Sequence, residues 1–380
     1  MLAAMRIAVL GAGVMGAAAA RLLARHEVDL LVLDADAERA ERAAAGLDRV
    51  EIGSAAIGSE ELPKALAGLD AVAACIPYRL NLEAMDAAFA AGVPYADLGG
   101  LFHMTLRQLE LDDRYREAGL AAVMGIGCCP GISNVLARLT ADRLEEVRSI
   151  DILDGAVEDN GGFSVPYSAD TILDEFSKPA VIFEDGQLKE VPAASGTIRY
   201  RFPEPLGEME AFYTLHSEPA TLPRTIPDVR DVRWRLALPP KIAEGFRLLV
   251  EVGLASEEPV DTPSGRAVPR DLLRTLLSRL SPTPGPARDI EVLVVRATGT
   301  LEGRPATVVA EATFEPQPEG IGGGVFGTAM PMAVAARWLA EGRVPPGVHP
   351  PETALPAEAF VEELQGEGMK LRVAVEGNPG

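Results

Sequence analysis

Cysteine, histidine, lysine and tryptophan are all scarce in this chain: three, four, five and two residues among 380. Three cysteines, Cys75, Cys128 and Cys129, cannot build a disulfide framework, and an odd count in a long chain fits a reducing cytoplasm. The histidines, His26, His103, His216 and His349, are scattered, and no second cysteine pair accompanies Cys128 and Cys129. That spacing gives no zinc-type ligand set, so no metal is expected. Positive charge is scarce too: 35 Lys and Arg against 56 Asp and Glu leave a net charge of −21. Such a surface repels phosphate backbones and anionic lipid, which excludes nucleic acid as the expected partner. Long uncharged apolar runs are also missing. The apolar opening, "MLAAMRIAVLGAGVMGAAAA", is broken by Arg6 and three glycines. Neither a signal peptide nor a membrane span is expected, and the chain is expected to be cytoplasmic.

What is present begins with length. A single core stops growing at roughly 250 to 300 residues, so two domains are expected. The apolar run "IAVL" leads into "GAGVMG", Gly11 to Gly16, and then into the helical "AAAARLLARH". Strand, glycine turn and helix in that order form a dinucleotide-binding unit. Gly11 permits the tight turn, Gly13 lets a pyrophosphate approach the backbone, and Gly16 lets the helix pack on the strand. Val14 and Met15 open the helix, whose unpaired N–H groups and partial positive charge suit phosphate. A second run, "DLLVLD", ends at Asp34, 18 residues past Gly16, where a carboxylate can accept from both ribose hydroxyls. The acidic "ADAE" that follows would repel a 2′-phosphate. NAD is therefore expected over NADP, with Arg39 as the residue that could reverse the preference.

Further apolar runs, "LDAVAACIP", "VPYADLGG" and "LAAVMGIG", with the helical "NLEAMDAAFAAG" between the first two, extend the alternation into a doubly wound parallel sheet. Ligands of such sheets lie beyond the carboxyl ends of the strands. This nominates Ile76, Pro77 and Tyr78, then Asp97, Gly99 and Gly100, then Gly127 to Gly131. After Asn134 the pattern turns strand-like: "RSIDILDG", "GTIRYRF", "AFYTLHS", "DVRWRLALP", "FRLLVEVGL", and a hairpin turning near Glu302 to Pro305. A mainly antiparallel sheet follows, covered by helices such as "PRDLLRTLLSRL". "SPTPGP", Ser281 to Pro286, is expected as a loop within that domain. The glycine-rich "GIGGG" before the apolar "VFGTAMPMAVAARWLAEG" either cradles a phosphate or carries the chain between domains. The expected division is a Rossmann domain over 1–128, an α+β substrate and dimerisation domain over 129–325, and a C-terminal segment, 326–380, packing back on the first domain with its tail as surface trim.

The stretches "VLGAGVMG", "LGG", "CCPGISNVLA", "ILDEFSKPAVIFEDGQLKEVPA", "MEAFYT" and "EGRVPPGVHPPE", in that order over nearly the whole chain, resemble the saccharopine dehydrogenase family, most closely its NAD-dependent lysine 6-dehydrogenase branch. The resemblance implies a Rossmann domain completed by the C-terminal segment, a central domain carrying substrate contacts and a dimer interface, and hydride transfer between an amine carbon and a nicotinamide. It implies oxidation of L-lysine at the 6-amino group. "RLALPPKIAEGFRLLV" departs from that branch's pattern. A saccharopine or carboxynorspermidine-type secondary amine is therefore kept as the alternative substrate, and a non-catalytic NAD-binding sensor as the alternative of another class. A homodimer or higher homo-oligomer is expected.

For such chemistry the candidate base is Asp97 at a strand end, with capping of the "LGG" turn as its other possible role. His216 is the candidate proton shuttle, and Tyr213 joins these two among the catalytic candidates. Arg224, flanked by prolines, is the candidate clamp for a substrate carboxylate. Arg199, Arg201, Arg233 and Arg235 are held in reserve for a substrate with more carboxylates. Glu210, Thr214 and Tyr78 complete the candidate substrate contacts, and Ile76, Pro77 and Gly127 complete those to the cofactor. Cys128 and Cys129 are expected to line a tight crossing as small hydrophobes, with Pro130 in the first turn of the next helix.

Overall fold

The structure, a computed structural model, describes residues 4–157, 163–280 and 288–377. The stretch Ser281 to Pro286 lies outside the described residues. Seven strands form the first sheet, in the order Gly347–His349, Ala121–Val123, Tyr95–Asp97, Ala71–Ala74, Met5–Leu10, Val28–Asp34 and Val50–Ser54. All are parallel. Ile7 to Leu10 and Ala71 to Ala74 are buried without a break, because helices cover both faces. Ile7 and Val9 share a core with the helices Val14–Leu23 and Gly323–Ala340, whereas Ala8 and Leu10 pack with Leu62, Ala84 and Met85 on the other side. The strand order reverses between Met5–Leu10 and Ala71–Ala74, which opens a crevice at their carboxyl ends.

The second sheet also has seven strands, ordered Lys370–Gly377, Arg304–Phe314, Ile290–Leu301, Glu146–Val157, Asp231–Ala237, Ala180–Glu184 and Gln187–Val191. Every pairing is antiparallel except Asp231–Ala237 on Glu146–Val157. Its long hairpin turns through Glu302 and Gly303, both at positive φ (52° and 68°), the twist a two-residue connection requires. Strand alternation places Ile150, Ile152 and Asp154 on one face, and Glu291, Leu293 and Val295 beside them. That face lies against the helices Ile132–Ala141 and Gly323–Ala340.

Three local expectations are corrected. "FRLLVEVGL" is not a strand: it falls in the helix Pro240–Glu251 and its end, started by Pro239 and Pro240 and buried through Ile242, Ala243 and Phe246, a helical spacing. In "AFYTLHS" only Ala211 belongs to a strand, Glu208–Ala211, with Phe212 bridging to Leu236, so His216 lies in a loop. Residues 326–380 do not pack on the first domain alone. The helix Gly323–Ala340 and the strand Gly347–His349 return there, but the tail is no surface trim: Lys370–Gly377 pairs along Arg304–Phe314 at the edge of the second sheet. The glycines before the helix carry the chain across the second domain. A Cβ on Gly323 would lie 2.4 Å from the Phe314 carbonyl oxygen and 2.6 Å from that of Asp289. The Asp289 carboxylate accepts from the Gly324 N–H (2.9 Å), leaving no phosphate cradle there.

Candidate active site

The glycine turn after Met5–Leu10 is built as tightly as its spacing predicts. Gly11 has φ +92°, and a Cβ on Gly16 would lie 1.7 Å from the Gly11 carbonyl oxygen. Gly13, the N-cap of Val14–Leu23, would meet nothing within 4 Å, so the space in front of it is open. The N–H groups of Val14, Met15 and Gly16 have no partner within the helix's first turn and face that opening. Asp34 accepts from the N–H groups of Ala12 (2.8 Å) and Asp36 (2.9 Å), with lone pairs left over for ribose hydroxyls. Ile76 and Pro77, at the end of Ala71–Ala74, form the neighbouring rim. These residues fit a dinucleotide.

The loop "GIGCCPGISN" closes the crevice toward the second sheet. Pro130 packs over Gly99 and Gly125, where a Cβ would approach its ring to 2.7 and 3.0 Å. Gly127 donates to the Pro130 carbonyl (2.8 Å) and accepts from Ile132 (2.9 Å). Gly131 has φ +135°, and a Cβ there would lie 2.0 Å from the Gly127 carbonyl oxygen. The two glycines are thus stacked backbone on backbone. The Cys129–Pro130 bond is cis, and Gly131 rather than Pro130 starts the helix Ile132–Ala141, so Pro130 is not in its first turn. Asn134 caps that helix through the Gly131 N–H (3.1 Å) and reaches Glu352 of the C-terminal segment (3.0 Å).

Against this loop converge five buried titratable groups: Asp154, Glu175 of the helix Ala169–Ser177, His216, Glu218 and Glu291. The His216 ring stacks on Trp234 (3.9 Å between centroids, 18° apart), and its Nδ1 lies 2.6 Å from Glu218. The other Glu218 oxygen accepts from the Ser133 hydroxyl (2.7 Å). Tyr167 donates to Glu175. Asp154 and Glu291 lie side by side, and one oxygen of each, Asp154 Oδ1 and Glu291 Oε2, has no hydrogen-bond partner. Burial pushes Asp154 up to about 7, although Glu291 and the imidazolium of His216 oppose the rise. Burial likewise pushes Glu175 up to about 7 against His216 and the Tyr167 hydroxyl. Burial also raises Glu291 well above its ordinary range, with Asp154 adding to the rise. For His216 burial acts downward, but Glu218, Glu175 and Asp154 outweigh it and hold the imidazole above its ordinary range. Burial would raise Glu218, and His216 and Ser133 bring it below its ordinary range instead. The charges acting most strongly on these five groups are one another's, and no lysine or arginine is among them.

Glu175 gives a stability test with a definite sign. Its folded-state pKa, about 7, lies above its ordinary 4.5, so between those values the folded chain holds more proton than the unfolded one. Its contribution therefore falls as pH rises through that window. Raised His216 acts in the same direction, and lowered Glu218 acts only in more acidic solution. Gln at 175 mimics the protonated acid. We expect Glu175→Gln to gain up to about 3 kcal/mol over the parent at pH 8 and little or nothing near pH 5, read by denaturant melts at both values. An equal difference at the two pH values would refute the assignment.

Of the residues nominated from sequence, His216 and Thr214 lie at this cluster. Thr214 accepts from the Trp234 indole (2.9 Å) and so orients the ring under His216. The others lie elsewhere. Asp97 is fully enclosed: one oxygen accepts from Gly99 (2.8 Å) and Gly125 (2.9 Å), the other from Gln108, and burial raises its pKa. It ties two strand ends together, the capping role, and is not presented to the crevice. Tyr78 gives its hydroxyl to Asp174, where Arg79 (2.9 Å), Lys178 (3.1 Å) and Arg270 (2.7 Å) also meet. It clasps the first domain to the helix carrying Glu175 and does not reach the cluster. Tyr213 lies on the opposite face of Asp231–Ala237 from Trp234, under the Arg235 guanidinium (4.3 Å), which donates to its hydroxyl (2.6 Å). Arg233 pairs with Glu184 and Asp231, and Arg235 with Asp151, on that same far face. Arg199 and Arg201 are exposed. Glu210 is exposed and lines a separate cavity of about 390 Å³ with Arg199, Glu208 and Arg247.

Arg224 is on the outer side of the helix Glu218–Thr225, exposed, with no ion-pair partner among the described residues. Of the prolines that flank it, Pro223 is inside that helix and Pro227 follows its end. Arg224→Ala is expected to change stability by less than about 0.5 kcal/mol and leave the substrate KM unchanged, so a tenfold rise in KM would restore the clamp. Asp154, Glu175, Glu218 and Glu291 are the residues sequence reasoning missed. The signal was there in two of them: carboxylates at the inward positions of apolar strands, Asp154 after Ile150 and Ile152, Glu291 before Leu293 and Val295.

Comparison with known proteins bears on the whole architecture. Residues 7–123 match the family described as saccharopine dehydrogenase NADP binding domain, and residues 127–369 match saccharopine dehydrogenase C-terminal domain. Among curated proteins, the carboxynorspermidine synthase of Vibrio cholerae is 26% identical over 53% of this chain and 51% of its own length. The carboxyaminopropylagmatine dehydrogenase of Synechocystis sp. is 23% identical over 72% of each. The chain thus spans about half the length of the Vibrio protein. Among solved structures, the apo saccharopine dehydrogenase (L-Glu forming) of Saccharomyces cerevisiae superposes with a TM-score of 0.76 over 97% of this chain and 100% of its own, at 17% identity. That likeness concerns the fold. No described helix is long and apolar enough to cross a membrane.

Proposed function

The chain belongs to the saccharopine dehydrogenase family, and from that premise we propose that it is a dehydrogenase of a secondary amine of polyamine type, working with NAD. The observation that carries this is the buried acid cluster with two partnerless carboxylate oxygens and no lysine or arginine among its strongest neighbours, His216 being its one cationic group there. Burying uncompensated carboxylates is costly, and a bound ammonium supplies both the charge and the N–H donors they lack. A single side-chain ammonium, as in L-lysine, answers one of them, whereas a polyamine answers two or more. Saccharopine brings several carboxylates and would meet repulsion. The names of the Vibrio and Synechocystis relatives, a carboxynorspermidine synthase and a carboxyaminopropylagmatine dehydrogenase, agree with a polyamine-like substrate.

The dinucleotide supplies hydride acceptance from, or donation to, the carbon beside nitrogen. In the oxidative direction the ammonium first gives a proton to Asp154 or Glu175, both poised near neutrality. Loss of hydride then leaves a C=N bond, and water converts it to an amine and an aldehyde. The reverse sequence is a reductive condensation. Closure between the glycine loop and the second sheet holds the amine in place, and positioning supplies most of the acceleration. For the cofactor, Asp34 and the adjacent Asp36 and Glu38 favour NAD, while the family domain's description names NADP. Comparing kcat/KM for the two cofactors decides between them, with NAD expected to be the better by tenfold or more.

The test of the pocket is competition. A plain diamine without any carboxylate should inhibit turnover competitively, and glutamate at equal concentration should not. Stronger inhibition by glutamate would contradict the acid-lined pocket.

A further inference from the structure

Cys128 and Cys129 lie at the mouth of this acid pair, and neither has a role in the amine chemistry. Their sulfurs are 3.8 Å apart, on the same side of the loop. Two zinc–sulfur bonds of about 2.3 Å at the tetrahedral angle place their sulfurs about 3.8 Å apart, so the pair already has the bite of a single tetrahedral ion. Both sulfurs and an Asp154 oxygen lie within 4.8 Å of one another. Asp154 is 8% exposed and contributes one of the partnerless oxygens already noted. A thiol pair alone would be a packing feature; the unsatisfied, buried Asp154 oxygen beside it makes a three-ligand set of two sulfurs and one oxygen, with the fourth tetrahedral position left to water.

We propose that Cys128, Cys129 and Asp154 form a binding site for a soft or borderline divalent cation of the zinc and cadmium class. Binding displaces the two thiol protons, and any proton on Asp154, to solvent and joins the ion to two thiolates and one carboxylate, with no change of oxidation state. The site uses Asp154, also assigned to the amine pocket, but does not rest on that assignment, since it is read without turnover. An occupied site also blocks the amine, so the same ions are expected to act as inhibitors.

The experiment is titration of the reduced full-length protein with Cd²⁺, following the ultraviolet thiolate-to-cadmium charge-transfer band, with Zn²⁺ as competitor. One equivalent should bind with a thiolate band, and Zn²⁺ should displace it. Cys128→Ser and Cys129→Ser should each weaken binding by 100-fold or more, Asp154→Asn by tenfold or more, and Cys75→Ser not at all. Each variant's thermal transition is recorded without metal, and Cys128→Ala and Cys129→Ala replace any serine variant that does not fold. Absence of a thiolate band in the parent overturns the site. An undiminished band in Cys129→Ser or unchanged affinity in Asp154→Asn overturns the ligand set. If the site stands while a diamine fails to inhibit, the amine reading alone is lost.

Discussion

Asp154→Asn should lower kcat/KM by roughly 10² to 10⁴-fold while leaving the protein at least as stable as the parent. Both halves of that result matter. Asp154 is a carboxyl pushed up to about 7 by burial, beside Glu291 and within the field of His216. A base with its pKa near the working pH combines a useful ionised fraction with a strong enough proton affinity. Asparagine keeps the shape and removes the proton acceptor. It also removes a charge that the folded state holds at a cost, so no loss of stability is expected above neutral pH. The parent's pH profile should show a limb near pH 7 that the variant lacks. Steady-state kinetics and a denaturant melt on the same preparation separate a chemical defect from a folding one. A variant that loses activity and stability together would mean that Asp154 is a structural strut, as Asp97 is.

Gly131→Ala should be among the most damaging single methyls at the described glycines. A Cβ at that position would lie 2.0 Å from the carbonyl oxygen and 2.4 Å from the nitrogen of Gly127, both backbone atoms that cannot step aside. The φ of +135° is a second, independent obstacle to any L side chain. Strain of this kind costs about 1 to 3 kcal/mol, and overpacking adds a comparable amount. We expect a loss of roughly 2 to 6 kcal/mol, and with it the register of the Cys128 and Cys129 loop against the second sheet. Gly13→Ala is the internal control, because its Cβ meets nothing within 4 Å. That variant should fold normally and bind the dinucleotide more weakly, as judged by thermal melting with and without NAD.

The contrast between these positions explains what the sequence made legible. Parallel strands covered on both faces read as unbroken apolar runs, so "IAVL", "DLLVLD" and "AVAA" announced the first sheet. The glycine turn announced itself because three close approaches of backbone need three glycines at fixed spacing. "FRLLVEVGL" misled because a short apolar run rich in valine and leucine fits either period. The preceding prolines and the spacing of Ile242 and Phe246 were the better guide. The acid cluster was harder for a different reason. Its members come from two strands, two helices and a loop, with 137 positions between Asp154 and Glu291 (291 − 154), and only the fold brings them together. Local reasoning instead gathered Glu210, Tyr213 and Arg224 around His216 because they are near in sequence. The chain then turns them to other faces: Tyr213 beneath Arg235, Glu210 to the surface, Arg224 outward on its helix. Asp97 is the instructive intermediate. A carboxylate at a parallel strand end is in the right place for chemistry, yet the glycines that follow it bring N–H groups close enough to consume it.

The measurement that bears most directly on the account is nicotinamide absorbance with purified protein and NAD⁺, comparing carboxynorspermidine, L-lysine and saccharopine with a control lacking amine. The proposed amine site predicts reduction of NAD⁺ by carboxynorspermidine, with lysine and saccharopine at the control rate. Reduction by lysine alone would return the assignment to primary-amine oxidation. Saturable NAD⁺ binding without turnover of any amine in either direction would contradict the proposal and leave a dinucleotide-binding sensor in its place.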